Sequence, residues 1–255
     1  MLNSKFLNKI ICSNFFDVLP LIADSSVAFI FADLPYGTSA ARWDTRVDLE
    51  KMWIEFNRII DHSGVMAFTA TYPFGSTLIQ SNMDQFLYRW VWDKCAAGNF
   101  QLANVQPMRN TEDILIFSKG RAANGAKNVA KYNPIKIDGT AVSSGGSPAH
   151  TSLLNSNNMV ALRKTYTSRF PTDIIRIKKD TKRIQPTQKP VALLEYLILT
   201  YTNEGDIVLD PVAGSCTTAV AAIKTGRNFI AIDSDSAIVD AALNRVAAWD
   251  YSTID

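Results

Sequence analysis

Six short apolar runs, separated by longer stretches whose apolar residues recur three and four apart, constrain this chain more than any other feature. The runs are "VAFIFAD" (27–33), "VMAFT" (65–69), "YRWVW" (88–92) and "DILIFS" (113–118), then "DIVLD" (206–210) and "NFIAID" (228–233). Their β-branched and aromatic content predicts strands. Helices are predicted at "DLEKMWIEFNRII", "VALLEYLILTYT", "TTAVAAIKT" closed by Gly226, and "DSAIVDAALNRVAAW". Such alternation implies an α/β fold with a doubly wound, mostly parallel sheet covered on both faces. With 255 residues, 47% of them hydrophobic, the chain can bury a core of that size.

No apolar run approaches the ~20 residues needed to cross a bilayer. "MLNSKFLNKI" lacks both an apolar core and a small-residue cleavage site, so the expectation is a cytoplasmic protein with no membrane association. The three cysteines (Cys12, Cys95, Cys216) and two histidines (His62, His150) show no metal-ligand spacing, which predicts reduced thiols and no metal.

The formal charge of +2 conceals an uneven distribution. From Lys119 to Lys189 there are 14 Lys/Arg against three acids, a local charge of +11, while the remainder carries −9. A solvated basic face is the plain alternative, but +11 inside an acidic protein suits a phosphate backbone. The candidate contacts are Arg163, Lys164, Arg169, Lys178, Lys179, Lys182 and Arg183. Much of the same region is rich in Gly, Ser, Asn and Ala, without sustained periodicity, and is predicted as loops.

Ligands of open α/β sheets gather beyond the carboxyl ends of strands. Two such ends stand out. In "DIVLDPVAGSCTTAVAAIKTGRNFIAIDSD", Gly214 allows close backbone approach, the following helix offers free N–H groups, and Asp233 ends the next strand where it could accept both hydroxyls of a ribose. The turn lacks the G-x-G-x-x-G spacing of a dinucleotide site, which argues against NAD. The other end is "DLPY", Asp33–Tyr36, with a carboxylate, a residue of fixed φ and an aromatic at the close of a core strand.

These motifs resemble those of the amino-directed DNA methyltransferases that use S-adenosylmethionine and carry the catalytic motif ahead of the cofactor motif. "DLPY" resembles that family's Asp-Pro-Pro-Tyr signature and "GTSAARWD" (37–44) a phage-type extension of it. "PTQKP" (186–190) and "DPVAGS" (210–215) resemble the motif before the cofactor half and the cofactor loop, in the family's order. "SNFFDVL" (13–19) resembles the family's opening segment.

The resemblance implies a permuted, Rossmann-like methyltransferase fold. Residues 1–119 would form the catalytic half, 120–184 a small basic target-recognition insert, and 185–255 the cofactor half. It implies catalytic roles for Asp33, Leu34, Pro35 and Tyr36. It implies cofactor contacts from Asn14, Phe15, Asp33, Thr187, Lys189, Pro190, Asp210, Val212, Gly214, Ser215, Cys216, Thr217, Asp233 and Ser234. Double-stranded DNA is the implied substrate, and a homodimer and a cognate restriction endonuclease are the further partners it brings into view.

The chemistry of the residues agrees. An exocyclic base amine is a poor nucleophile because its lone pair is delocalised into the ring. A carboxylate and a backbone carbonyl accepting its two N–H groups would pull the nitrogen toward tetrahedral geometry and steady the developing positive charge. Asp33 and the carbonyl of Leu34 or Pro35 suit those roles, and Tyr36 offers a ring to a base that has left its stack. Asp at 33, where related cytosine enzymes more often carry Ser, points to adenine N6 over cytosine N4. RNA or protein-amide methylation and a catalytically silent DNA-binding relative are the alternatives.

Leu34 replaces the signature's first proline, Val212 a common Phe, Cys216 a common Gly and Gln185 a common His. A loosened catalytic turn and a crowded cofactor loop are the expected consequences. Cys216, at a helix N-terminus, is also weighed as a reactive nucleophile.

Overall fold

The computed structural model describes residues 5–36, 46–144 and 164–250. It divides into two compact units: Pro134–Thr172, and the remainder of the chain. The strands, in chain order, are β1 (Lys9–Cys12), β2 (Val27–Ala32), β3 (Ile60–Ala70), β4 (Phe86–Gly98), β5 (Arg109–Ser118), β6 (Ile137–Ser144), β7 (Lys164–Arg169), β8 (Ile174–Arg176), β9 (Ile207–Asp210) and β10 (Asn228–Asp233). The helices are α1 (Phe15–Val18), α2 (Leu49–Ile59), α3 (Phe74–Ser81), α4 (Val191–Tyr201), α5 (Thr217–Lys224) and α6 (Ser236–Asp250).

In the larger unit the strands form one sheet in the order β1-β10-β9-β2-β3-β5-β4-β8. It is parallel throughout except where β5 runs antiparallel to β3 and β4. β2 alternates its side chains between the faces: Phe29 and Phe31 enter one core with Leu193, Leu197 and Tyr201 of α4, while Ile30 and Ala32 enter the other with Met52 and Phe56 of α2. Both faces are therefore covered, as the continuous apolar runs require.

The predicted helices form where the periodicity places them. Asp48 caps α2, its carboxylate accepting the Lys51 N–H, and Met52, Trp53, Phe56 and Ile59 make the buried stripe. Gly226, at φ +71°, closes α5.

The structure adds elements that lack a clear pattern. β1 and α3 are too short to establish a period, and α1 is a single capped turn. The stretch predicted as loops holds β6, which pairs antiparallel with β7 in the smaller unit, while β8 joins the edge of the large sheet beside β4. Within 120–184, the insert that the resemblance implies, residues 120–133 and 173–184 group with the larger unit. Lys131 shows why: its backbone N–H bonds to Ser63 O and its ammonium pairs with Asp206. The "GTSAARWD" extension and Arg163 lie outside the described residues.

Candidate active site

β2 leads through α2 to β3 on one side, whereas β9 leads through α5 to β10 on the other. The neighbours β2 and β9 therefore flank a topological switch point, and the crevice beyond their carboxyl ends is where such sheets bind ligands. Asp33 follows β2 directly, and the Asp210–Thr217 loop follows β9.

Asp33 lies at the centre of a hydrogen-bonded cluster. Thr69 Oγ1, at the end of β3, donates to Oδ1, the Tyr36 hydroxyl lies 3.4 Å from the same oxygen, and Lys189 Nζ lies 2.7 Å from Oδ2. Lys189 also pairs with Glu112 Oε1 at 3.0 Å, and Lys94 lies 3.9 Å from Glu112 Oε2. Burial alone would lower the Lys189 pKa, but the two carboxylates outweigh it and hold the ammonium above its ordinary value.

Leu34 is buried in the apolar core beneath the loop. Packing thus anchors the turn that lost the signature's first proline. Tyr36 is half-buried and stacks on Phe74 at 4.9 Å between ring centroids. Burial, with the charges of Asp33 and Glu112, pushes its phenol far above the usual range, so the hydroxyl stays protonated.

The second loop presents Gly214 and Asp233. Gly214, at φ +49°, donates its N–H to Asp233 Oδ2 at 2.7 Å, and a Cβ there would approach Gln185 Oε1 to 2.9 Å. Asp233 is half-buried and also accepts the Asp235 N–H, while Asp235 itself caps α6 through the N–H groups of Ala237 and Ile238. Asp233 is thereby released from the capping role. Each of its oxygens keeps a further lone pair, an acceptor set that fits the two hydroxyls of a ribose. Pairing of β1 with β10 places Cys12 opposite Asp233, so the exposed Asn14 and half-buried Phe15 follow at the same edge; Asn14 Oδ1 caps α1 through the Phe16 N–H.

The other loop residues turn inward. Ser215 and Thr217 bond to each other and to Arg245, and Asp210 accepts from Thr218 Oγ1 and the Val212 N–H. Cys216 is fully buried, in a left-handed conformation at φ 54°. This explains why glycine is common at the position, and the thiol fills the core instead of crowding the open face. Burial, with Asp210 and Asp233 nearby, pushes its pKa far up, which overturns the reading of Cys216 as a reactive nucleophile.

The chain matches the DNA methylase family over residues 27–244, most of its length. It belongs to that family. The chain is 49% identical over 72 residues to the DNA adenine methyltransferase YhdJ of Escherichia coli (strain K12), a match covering 28% of this chain and 24% of that one. It is 51% identical over 63 residues to the type II methyltransferase M2.DpnII of Streptococcus pneumoniae, covering 25% and 24%. Each match thus spans about a quarter of the curated relative's length. Among solved structures, the M1.HpyAVI–SAM complex superposes with TM-score 0.61 at 23% identity, covering 93% of this chain and 98% of that one. The cytosine-N4-specific PvuII DNA methyltransferase does so with TM-score 0.65 at 13% identity, covering 97% and 88%. These likenesses establish the shared fold.

Elsewhere in the chain, Thr187 and Ser234 are exposed, and Pro190 is buried at the start of α4. Lys189, expected among the cofactor contacts, has its ammonium on Asp33 and Glu112 instead of open to the loop after β9. Lys178, Lys179, Lys182 and Arg183 are exposed in the larger unit, while Arg169 is exposed in the smaller, where Lys164 begins β7.

Thr69 and Glu112 were not singled out in the sequence. Thr69 had a signal, as the one polar residue ending "VMAFT". Glu112 had none, because only the antiparallel direction of β5 brings the beginning of that strand to the edge where β2 and β3 end. No helix among the described residues is long and apolar enough to cross a membrane.

Proposed function

We propose that this methylase transfers the methyl group of S-adenosylmethionine to the N6 amine of an adenine flipped out of double-stranded DNA, acting as a site-specific adenine methyltransferase. The observation that carries the reading is the juxtaposition at the switch point: the Asp33 carboxylate beyond β2, and the Gly214–Asp233 pair beyond β9 and β10. The name of the DNA adenine methyltransferase YhdJ, together with Asp at position 33, supports adenine as the base.

Asp233 would hold the ribose hydroxyls of the cofactor, with Asn14 and Phe15 toward its adenine and the backbone at Val212–Gly214 along its length. Thr187, Lys189, Pro190, Asp210, Ser215, Cys216, Thr217 and Ser234 complete the proposed wall, the inward-turned ones through main chain or packing. When bound, the sulfonium supplies an activated methyl group. Asp33 accepts one N–H of the target amine and the carbonyl of Leu34 or Pro35 the other, so that both hold positive charge as it develops on nitrogen. Pro35 restricts the turn that aims this carbonyl, and Tyr36 stacks on the extruded base. As the amine takes up the methyl group, its surplus proton would leave by way of Asp33 to water.

Residues 120–184 act in this reading as the target-recognition region, and Lys164, Arg169, Lys178, Lys179, Lys182 and Arg183, with Arg163, supply contacts to phosphates. Cytoplasmic location, a homodimer and a cognate restriction endonuclease belong to the same reading.

The test is to incubate the protein with DNA or RNA and labelled S-adenosylmethionine, digest the product to nucleosides and identify the methylated species. N6-methyladenine from DNA is expected. Label only in N4-methylcytosine, RNA or protein overturns the assignment, and DNA retention without cofactor binding identifies a silent relative.

A further inference from the structure

Three distant segments meet at one ammonium: Asp33 after β2, Glu112 in β5 and Lys189 ahead of α4. The side chains of Glu112 and Lys189 are each only 11% exposed, and that of Asp33 is 28% exposed. Charges removed from water this far are costly unless paired, and one ammonium needs only one carboxylate. Here it has two, at 2.7 and 3.0 Å. The second carboxylate calls for a reason.

That reason lies in what Asp33 must still do. Its Oδ1 already accepts from Thr69, with the Tyr36 hydroxyl nearby, and its Oδ2 accepts from Lys189. An ammonium given wholly to Asp33 would make a charge-assisted bond about twice as strong as a neutral one, and would outcompete the neutral N–H of an incoming amine. Shared with Glu112, the same ammonium keeps Asp33 ionised and oriented without saturating it. Among the described residues, the other charged groups acting on this cluster are Lys94 on β4, Arg109 on β5 and Lys179, which are cationic, and Asp210, which acts on Asp33. Among the described residues, Glu112 is the further carboxylate paired with Lys189, and it draws the ammonium away from Asp33.

We propose that Glu112 is a positioning residue for methyl transfer: it draws Lys189 toward itself and so leaves Asp33 free to accept the N–H of the target amine. The proposal rests on the methyl-transfer reading above, though not on which amine is methylated.

Glu112→Gln keeps the shape of the side chain and removes its charge. The expected result is a kcat at least tenfold lower, with the KM for DNA and the calorimetric Kd for S-adenosylmethionine within twofold of wild type, and partial recovery in Glu112→Asp. In a Lys189→Met background, Glu112→Gln should cause no further loss, because its effect passes through the ammonium. Losses that multiply overturn the proposal, as does a kcat within twofold of wild type or a loss carried wholly by KM or Kd. If Lys189→Met does not fold by thermal unfolding, the kcat–KM split and the Glu112→Asp recovery decide. A wild-type protein that methylates RNA or a protein amide instead overturns the DNA reading alone, and the same comparison on that acceptor decides Glu112.

Discussion

The ammonium of Lys189 lies 2.7 Å from Asp33 Oδ2, although 156 residues separate the two in the chain. Lys189 precedes α4 and Asp33 follows β2, and α4 packs on the β2 face through Leu193, Leu197 and Phe29. The pair therefore ties the segment leading into α4 to the loop after β2. It also fixes which oxygen of Asp33 is occupied before any base arrives.

Asp33→Ala should lower kcat for methyl transfer by about 10²–10³, the usual cost of removing a preorganised electrostatic partner of the transition state. Calorimetry should find the affinity for S-adenosylmethionine largely retained, because Asp233 and Gly214 lie beyond other strands. A variant that transfers at near wild-type rate would remove Asp33 from the mechanism.

Gly214→Ala places a side chain at φ +49°, where an L-residue is strained by about 1–2 kcal/mol. The new Cβ also meets Gln185 Oε1, the end of a flexible side chain that can shift aside. A modest loss of thermal stability and a clear loss of cofactor affinity are expected, both readable on one sample by unfolding and calorimetry.

Asp210 gives a pH signature. Its burial, opposed by the bonds from Thr218 and Val212, pushes the carboxyl up from 3.8 to about 7. Between about pH 4 and 7 the folded chain keeps this proton while the unfolded chain has lost it, so stability falls as pH rises through that window. The whole effect is on the order of 4 kcal/mol. Asp210→Asn, which cannot ionise, should flatten this part of the profile in thermal melts taken across pH.

Tyr201→Phe tests the core behind the sheet. The buried Tyr201 hydroxyl accepts from Trp90 Nε1 at 2.6 Å and lies 3.1 Å from the Tyr88 hydroxyl. Its removal leaves the Trp90 N–H without an acceptor, which should cost about 1–3 kcal/mol in denaturant unfolding, with no direct effect on the chemistry.

Lys178 and Lys179 are both exposed. If both contact phosphates, replacing them with Ala should weaken DNA binding and reduce the steepness of log K against log salt by about 2. Fluorescence titrations at several salt concentrations measure that slope. An unchanged slope would exclude these two from the interface.

The strands and helices that carry the fold could be read from the chain because periodicities of 2 and 3.6 are local properties, and α2 with its Asp48 cap forms where the pattern places it. The positions of Asp33 and Asp233 at strand ends could be read as well, since each closes a recognisable apolar run. The short or irregular pieces, β1, α3 and the β6–β7 pair, could not, because stability there comes from partners distant in sequence. Tertiary structure alone decided three further matters: the left-handed backbone that buries Cys216, the packing of Leu34 that holds its turn, and the antiparallel course of β5 that delivers Glu112 to Lys189. Strand direction and order depend on which surfaces meet when the chain closes on itself, and no local run of residues encodes that.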